Sequence, residues 1–219
     1  MVEGTGTSPI ALTGELREPL SRWLWLVKWL LLIPHVIVLF FLWLAFVVLT
    51  IAAGVAILVT QRYPRGIFDF NVGVLRWTWR VMFYGYNALA TDRYPPFTLG
   101  PAPDYPARLE ISYPERLSRG LVLVKWWLLA IPHYLLIGVF QGGWGWNWSG
   151  LVGVLVLFAA VALLFTGRYP SGLFGFAMGL NRWTFRVVAY AALMRDEYPP
   201  FRLDQGPEEP AATAGSPPA

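Results

Sequence analysis

A chain of 219 residues that is 56% hydrophobic and only 14% charged, with a mean hydropathy of +0.50, carries more apolar side chain than a soluble globule of this size needs for its core; lipid is the natural solvent for the excess. Its formal net charge of +4 suits an anionic membrane surface, and the absence of cysteine excludes disulfides, thiolate metal sites and cysteine nucleophiles together. Twelve Trp and ten Tyr add the side chains that collect where bilayer meets water.

In chain order, residues 1–7 read as a flexible start, with no basic stretch leading into an apolar one, so the first apolar span is expected to insert and stay. The segments 10–16 (IALTGEL) and 107–112 (ARLEIS) alternate polar and apolar residues, which predicts short extended segments on the membrane surface. From Trp23 to Thr60 the chain is apolar almost without interruption, Lys28 and His35 being its only charge-capable residues. One helix of that length would far exceed a ~30 Å hydrocarbon layer at ~1.5 Å per residue, so two spans are predicted, over 20–42 and 45–61.

The stretch 20–99 is then written a second time. LSRWLWLVKWLLLIPH at 20–35 returns as LSRGLVLVKWWLLAIPH at 117–133, RYPRGIFDF at 62–70 as RYPSGLFGF at 168–176, RWTWR at 76–80 as RWTFR at 182–186, and YPPFTL at 94–99 as YPPFRL at 198–203. Four blocks in one order at offsets of 97 to 106 are a tandem duplication, which divides the chain into repeat one over 8–99, a linker over 100–104, repeat two over 105–203 and a disordered Pro/Ala-rich tail over 204–219. In repeat two a turn, QGGWGWNWSG at 141–150, separates the apolar runs 121–140 and 151–166; it contains no Lys or Arg. All 17 basic residues then fall on one side of a four-span chain or within snorkelling reach of it, and both termini are expected in the cytoplasm. A six-span inverted repeat is the alternative; it would turn the connecting region that carries Arg93, Arg108, Arg116 and Arg119 outward.

The third segments, 66–90 and 172–194, divide into a polar stripe (Asp69, Gly73, Arg76, Arg80, Asn87 in the first copy) and an apolar one (Phe68, Val72, Leu75, Trp79, Met82), the pattern of a helix lying in the interface plane. The fold class expected is therefore an all-α integral membrane protein of two tandem repeats, each a two-span transmembrane hairpin followed by an amphipathic interfacial helix. Six of the ten tyrosines precede proline, which predicts ring anchors at helix ends and headgroup depth.

YPARLEISYPERLSRGLVLVKWWLLAIPH, followed by GRYPSGLFGFAMGLNRWTFRV and EYPPF, resembles the bacterial membrane family catalogued as domain of unknown function 4389, and the resemblance covers nearly all of 8–203 counting both copies. It implies a bacterial integral membrane protein, placed here in the inner membrane by the charge pattern above, and brings no reaction, ligand or catalytic residue with it.

For chemistry, three sets of residues recur. His35 and His133 each follow a proline inside a first span; as an intramembrane polar pair they suit a small transporter or channel component, while locally each imidazole can solvate the carbonyl that its proline leaves unbonded. Two ligands make a poor metal site, so no metal is expected. Lys28 and Lys125 lie two turns inside those spans, within snorkelling reach of headgroups. Arg76/Arg80 and Arg182/Arg186 stand at i,i+4, where two guanidiniums share a face and can fork onto phosphate oxygens; Asp69 and Asp92 are the acids that can occupy them instead. No GxSxG, HExxH or phosphate-loop motif is present, and the basic residues are scattered among membrane-proximal segments rather than gathered for nucleic acid. The expectation is a non-enzymatic multi-pass membrane protein without cofactor, contacting anionic lipids through Lys28, Arg76, Arg80, Lys125, Arg182 and Arg186, or acting as an accessory subunit to a membrane-protein partner or a second copy of itself.

Overall fold

The computed structural model describes residues 9–141 and 150–204. It opens with β1 (Ile10–Gly14), which pairs antiparallel with β2 (Ala107–Ile111), Ile10 opposite Ile111, Leu12 opposite Leu109 and Gly14 opposite Ala107. The alternation in the sequence is realised as a two-faced ribbon: Ile10, Leu12, Leu109 and Ile111 are buried, while Thr13, Arg108 and Glu110 face outward. A purely helical class is therefore corrected by one short sheet that joins the two copies.

A 3₁₀ turn, Leu24–Leu26, leads into α1 (Lys28–Thr60), an unbroken helix of 33 residues that is about 50 Å long at ~1.5 Å per residue. This overturns the hairpin of 20–42 and 45–61. Around Trp43 there is no glycine, proline or asparagine to reverse the chain, and Pro34 sits close enough to the N-terminus to be absorbed without ending the helix. Gln61, in the left-handed conformation at φ 59°, closes α1 and donates its N–H to the Ile57 carbonyl at 2.8 Å.

Pro64 then starts α2 (Arg65–Tyr84) with its φ already set for a helix. α2 runs back along α1, since Asn71 donates to Thr50 Oγ1 at 3.1 Å, Trp43 Nε1 donates to Thr78 Oγ1 at 3.1 Å, and Trp77 reaches His35. In the second copy α3 (Arg119–Val124) passes through a π turn, Lys125–Leu129, into α4 (Ile131–Gln141), with a bend of 42° just ahead of Pro132. Beyond 142–149 follow α5 (Leu151–Thr166) and α6 (Ser171–Ala191), the counterpart of α2. The expected turn at 141–150 lies almost wholly outside the described residues.

Among the described residues α1 is the one helix long and apolar enough to cross a membrane by itself, and the bent stretch from Arg119 to Phe140 passes the same test if counted as one span; α5 is a shorter apolar helix. Four spans are not supported. The third segments end earlier than expected and are not half-wet: Val74, Leu75, Trp77, Trp79, Arg80 and Val81 of α2 are all buried, because β2 covers the side that α1 leaves free.

The two copies interlock about a pseudo-twofold axis. Leu12 and Leu109 are equivalent at offset 97 and face each other in the ribbon, which is the register a twofold requires. Trp79 and Phe185, equivalent at offset 106, meet edge to face at 5.7 Å. Tyr169 donates its hydroxyl to the Ala88 carbonyl at 2.7 Å, and Tyr63 donates to Ala192 at 3.4 Å, the same contact in the opposite direction. The lead-in to repeat two caps the end of α1, Leu117 N–H bonding the Gln61 carbonyl at 2.9 Å and Arg119 the Val59 carbonyl at 2.7 Å. The hydrophobic core that results, from Ile10 and Phe46 through Trp79 and Leu109 to Phe185, draws on both copies. At roughly 1.5–3 kcal/mol for each fully buried large side chain, neither repeat keeps its core if the other is removed.

Candidate functional site

Each repeat brings three of its sequence blocks to one histidine. His35 is fully buried on α1; Trp77 from the RWTWR block donates its indole N–H to His35 Nδ1 at 3.0 Å, Phe97 from YPPF stacks on the imidazole at 4.0 Å between ring centroids, and Tyr94 tilts against it at 4.9 Å. The Tyr94 hydroxyl continues to the Leu31 carbonyl at 3.0 Å, within one turn of Pro34. His133 is enclosed in the same way by Phe201 at 4.4 Å, Tyr198 at 4.8 Å and Trp183 at 5.5 Å, but here neither imidazole nitrogen nor the Trp183 indole N–H has a hydrogen-bond partner among the described residues. These are two separate cages, each closed by rings of its own repeat. YPPF lays its half-exposed phenylalanine over the buried imidazole because two prolines hold the chain extended while Leu99 and Leu203 seat on the bare backbone of Gly73 and Gly179; a Cβ at either glycine would lie 2.9 or 2.7 Å from the leucine Cβ. Tyr63, Tyr105 and Tyr169, expected as anchors at headgroup depth, are buried in the protein, which corrects that reading for these three; their rings fill the contact between repeats.

Lys28 and Lys125 do not reach outward. Both ammonium groups are buried: Lys28 donates to the Thr91 carbonyl at 2.7 Å and pairs with Asp92 at 3.1 Å above the ring of Tyr84, while Lys125 donates to the Arg195 carbonyl at 2.8 Å and pairs with Asp196 at 2.8 Å above the ring of Tyr190. The second oxygen of each carboxylate accepts a backbone N–H at the start of its own repeat's first helical segment, Ser21 N at 2.5 Å and Ser118 N at 2.6 Å. Each lysine–aspartate pair thus ties the first and last segments of its repeat together. Sequence reasoning weighed Asp92 only as an arginine partner and passed over Asp196; the recurrence of an aspartate two residues before Tyr94 and Tyr198 was the available signal.

The arginines are also drawn inward. Arg76 donates Nε to the Leu109 carbonyl of β2 at 3.0 Å, and Arg182 donates to the Leu12 carbonyl of β1 at 3.2 Å, so each central helix holds the strand of the other copy by its middle residue. One turn on, Arg80 is 2% exposed and grips the chain after YPPF, with Nη2 on the Thr98 carbonyl at 2.5 Å and the Gly100 carbonyl at 3.2 Å. Arg186 repeats this on the carbonyls of Arg202, at 2.8 Å, and Asp204. Burial lowers the Arg80 guanidinium from its ordinary pKa, Tyr105 offsetting part of the effect and Arg76 adding to it; burial lowers Arg186 likewise, with Arg202 adding and Asp204 opposing. Both remain cations at neutral pH. Asp69, the other acid considered for them, pairs with Arg65 at 3.4 Å.

The arrangement holds no nucleophile beside a base, and no group of three or more His, Asp or Glu able to hold a metal occurs among the described residues. The model of the family described as Domain of unknown function (DUF4389) matches residues 21–98 and again residues 123–202. No curated protein and no solved structure matches the chain.

Proposed function

The chain belongs to that family, which it carries in two tandem copies; since the family description assigns no activity, we propose from the geometry that it is a non-enzymatic membrane module that sits in lipid through α1 and the bent α3–α4 stretch and holds anionic headgroups at its basic ends. The observation that supports this is the outer flank of α1. In its most apolar 18-residue window only 17% is buried inside the protein, and Phe40, Phe41, Val48, Ile51 and Val59 are each 59–69% exposed. A core helix of a water-soluble protein would be covered over most of that length, and an uncovered apolar surface of this extent needs hydrocarbon around it.

Charge supports the same reading. Exposed Arg62, Arg116 and Arg119 collect where α1 ends, and exposed Arg22 and Arg168 collect where α5 ends. The two collars lie near opposite ends of α1, Arg22 standing six residues before Lys28 and Arg62 two after Thr60, and at each the negative end of a helix dipole and anionic headgroups both favour cations. An accessory role beside another membrane protein would use the same apolar flank.

The test is an alkaline carbonate wash of membranes from expressing cells, followed by flotation of the purified protein with phosphatidylglycerol or phosphatidylcholine vesicles. Retention in the washed membranes and preference for phosphatidylglycerol are expected. Release by carbonate would remove the embedded reading, and equal binding to both vesicles would remove the headgroup preference. Single cysteines in place of Arg93, beside the Lys28 end of α1, and Arg119, beside its Val59 end, are expected to label from opposite sides in this cysteine-free chain; labelling of both from one side would deny that α1 spans.

A further inference from the structure

Beside the sheet that joins the repeats lie two arginine-lined pockets. The first, about 120 Å³, lies between α2, the start of β2 and the linker chain at 100–103. That is well above the ~10–15 Å³ that admits a single water. Its charged lining is Arg76, Arg80 and Arg108 against one acid, Glu110. Arg76 and Arg108 already spend one donor each on backbone, Arg76 on Leu109 and Arg108 on the Pro103 carbonyl at 2.7 Å, which fixes their guanidiniums in place. Arg80 is committed through Nε and Nη2, yet its Nη1 is buried with no acceptor among the described residues. A buried cationic N–H without an acceptor is costly, and three guanidiniums around one cavity repel each other until an anion enters.

The second pocket, about 210 Å³, shares with the first the equivalent of Arg80, Arg186: it lies between α6, the chain at 198–202 and the start of β1, and is lined by Arg186, Arg195 and Arg202 against Glu197. Here too a buried guanidinium nitrogen, Arg195 Nε, lacks an acceptor among the described residues. The composition of three arginines to one glutamate is thus built twice from residues that are not all equivalent in sequence, Arg108 lying on a strand and Arg195 beyond the end of a helix.

We propose that these two pockets are binding sites for a phosphate-type oxyanion, one per pocket, held by the arginines that line them, Arg76, Arg80 and Arg108 in the first and Arg186, Arg195 and Arg202 in the second. Guanidinium suits this ligand because its planar fork matches adjacent oxygens of a phosphate group, and the two carbonyls that Arg80 already holds orient the remaining nitrogen. The oxyanion is either the phosphodiester of an anionic lipid or a soluble phosphate. Only the lipid source rests on the membrane reading above; the site itself stands on the pocket geometry.

The experiment uses the full chain in non-ionic detergent, titrated with inorganic phosphate by calorimetry at low salt, and the same chain in nanodiscs containing phosphatidylglycerol, followed by native mass spectrometry with and without added phosphate. Wild type is expected to bind two phosphates. R108Q, an exposed strand position whose loss leaves the fold intact, is expected to weaken one of the two sites roughly tenfold, as the loss of one charge-assisted bond implies. E110Q, which removes the only acid in the first pocket, is expected to strengthen the same site. Phosphatidylglycerol retained by wild type, reduced in R108Q and displaced by phosphate identifies the lipid as the source; phosphate binding with the same variant pattern but no retained lipid identifies a soluble one, and either result upholds the oxyanion site. Absence of phosphate binding, or identical binding in wild type, R108Q and E110Q, overturns it. A protein that resists carbonate but fails this titration loses the pockets and keeps its place in the membrane.

Discussion

The strongest structural commitment in each repeat is the buried lysine–aspartate pair, and truncating the acid gives the most informative perturbation. Lys125 is 0% exposed and its Nζ lies 2.8 Å from Asp196. At that distance the gross attraction is about 6 kcal/mol with an effective dielectric of about 20, and for Lys28 and Asp92 at 3.1 Å it is about 5 kcal/mol. The carboxylates are about a quarter exposed, so water enters when they are removed and part of the cost is recovered. D196A is therefore expected to destabilise by about 3–4 kcal/mol, with D92A slightly below it, because each leaves a buried ammonium with only a carbonyl for company and also frees the Ser118 or Ser21 N–H. K125M/D196A, which removes both charges and keeps the volume of the lysine stem, is expected to return to within about 1 kcal/mol of wild type. The assay is SDS-driven unfolding in detergent micelles, followed by the fluorescence of the twelve tryptophans. A cost below about 1 kcal/mol for D196A, or a double variant no more stable than the single one, would refute the claim that these lysines are held inside by their aspartates.

In the histidine cages, W77F and W183F lose similar packing, but only W77F strands an acceptor, His35 Nδ1; W77F is expected to cost about 1 kcal/mol more in the same unfolding assay, and equal losses would deny that the indole bond matters. G73A and G179A would each push a Cβ into a leucine and are expected to destabilise by about 1–3 kcal/mol, whereas G66A and G172A, with nothing within 4 Å, are expected to be neutral or to stabilise slightly; thermal midpoints decide it. V48K tests the solvent around α1: at 66% exposure the substitution is nearly free in water, but in hydrocarbon it costs about 2.5–3.5 kcal/mol and lowers the fraction of chain that survives a carbonate wash.

Local pattern carried a large part of this molecule. The duplication, the alternating strands, the proline starts of α2 and α6 and the apolar run of α1 are all written in nearest-neighbour spacing, and each is present in the structure. Hydropathy could not place a turn in 23–60, because a continuous helix and a hairpin bury the same residues in lipid; the choice fell to packing, where α2 finds Thr50, Trp43 and His35 along one side of a single straight partner. Periodicity misjudged α2 for a related reason. Arg76 and Arg80 look wet in a helical wheel, but the strand that accepts Arg76's hydrogen bond comes from the other copy, 33 residues away, and the wheel cannot see it.

By itself, then, the sequence determined that there are two copies, that they are strongly apolar, and which blocks recur in each. Tertiary structure alone decided where the charges go. A lysine or arginine in an apolar stretch can reach for headgroups or for a buried acceptor, and its neighbours in the chain are the same in both cases. The outcome depends on whether a carboxylate or a free carbonyl arrives from a distant segment: the folding of one repeat brings Asp92 to Lys28, and the closing of the two repeats on each other brings the strands to Arg76 and Arg182.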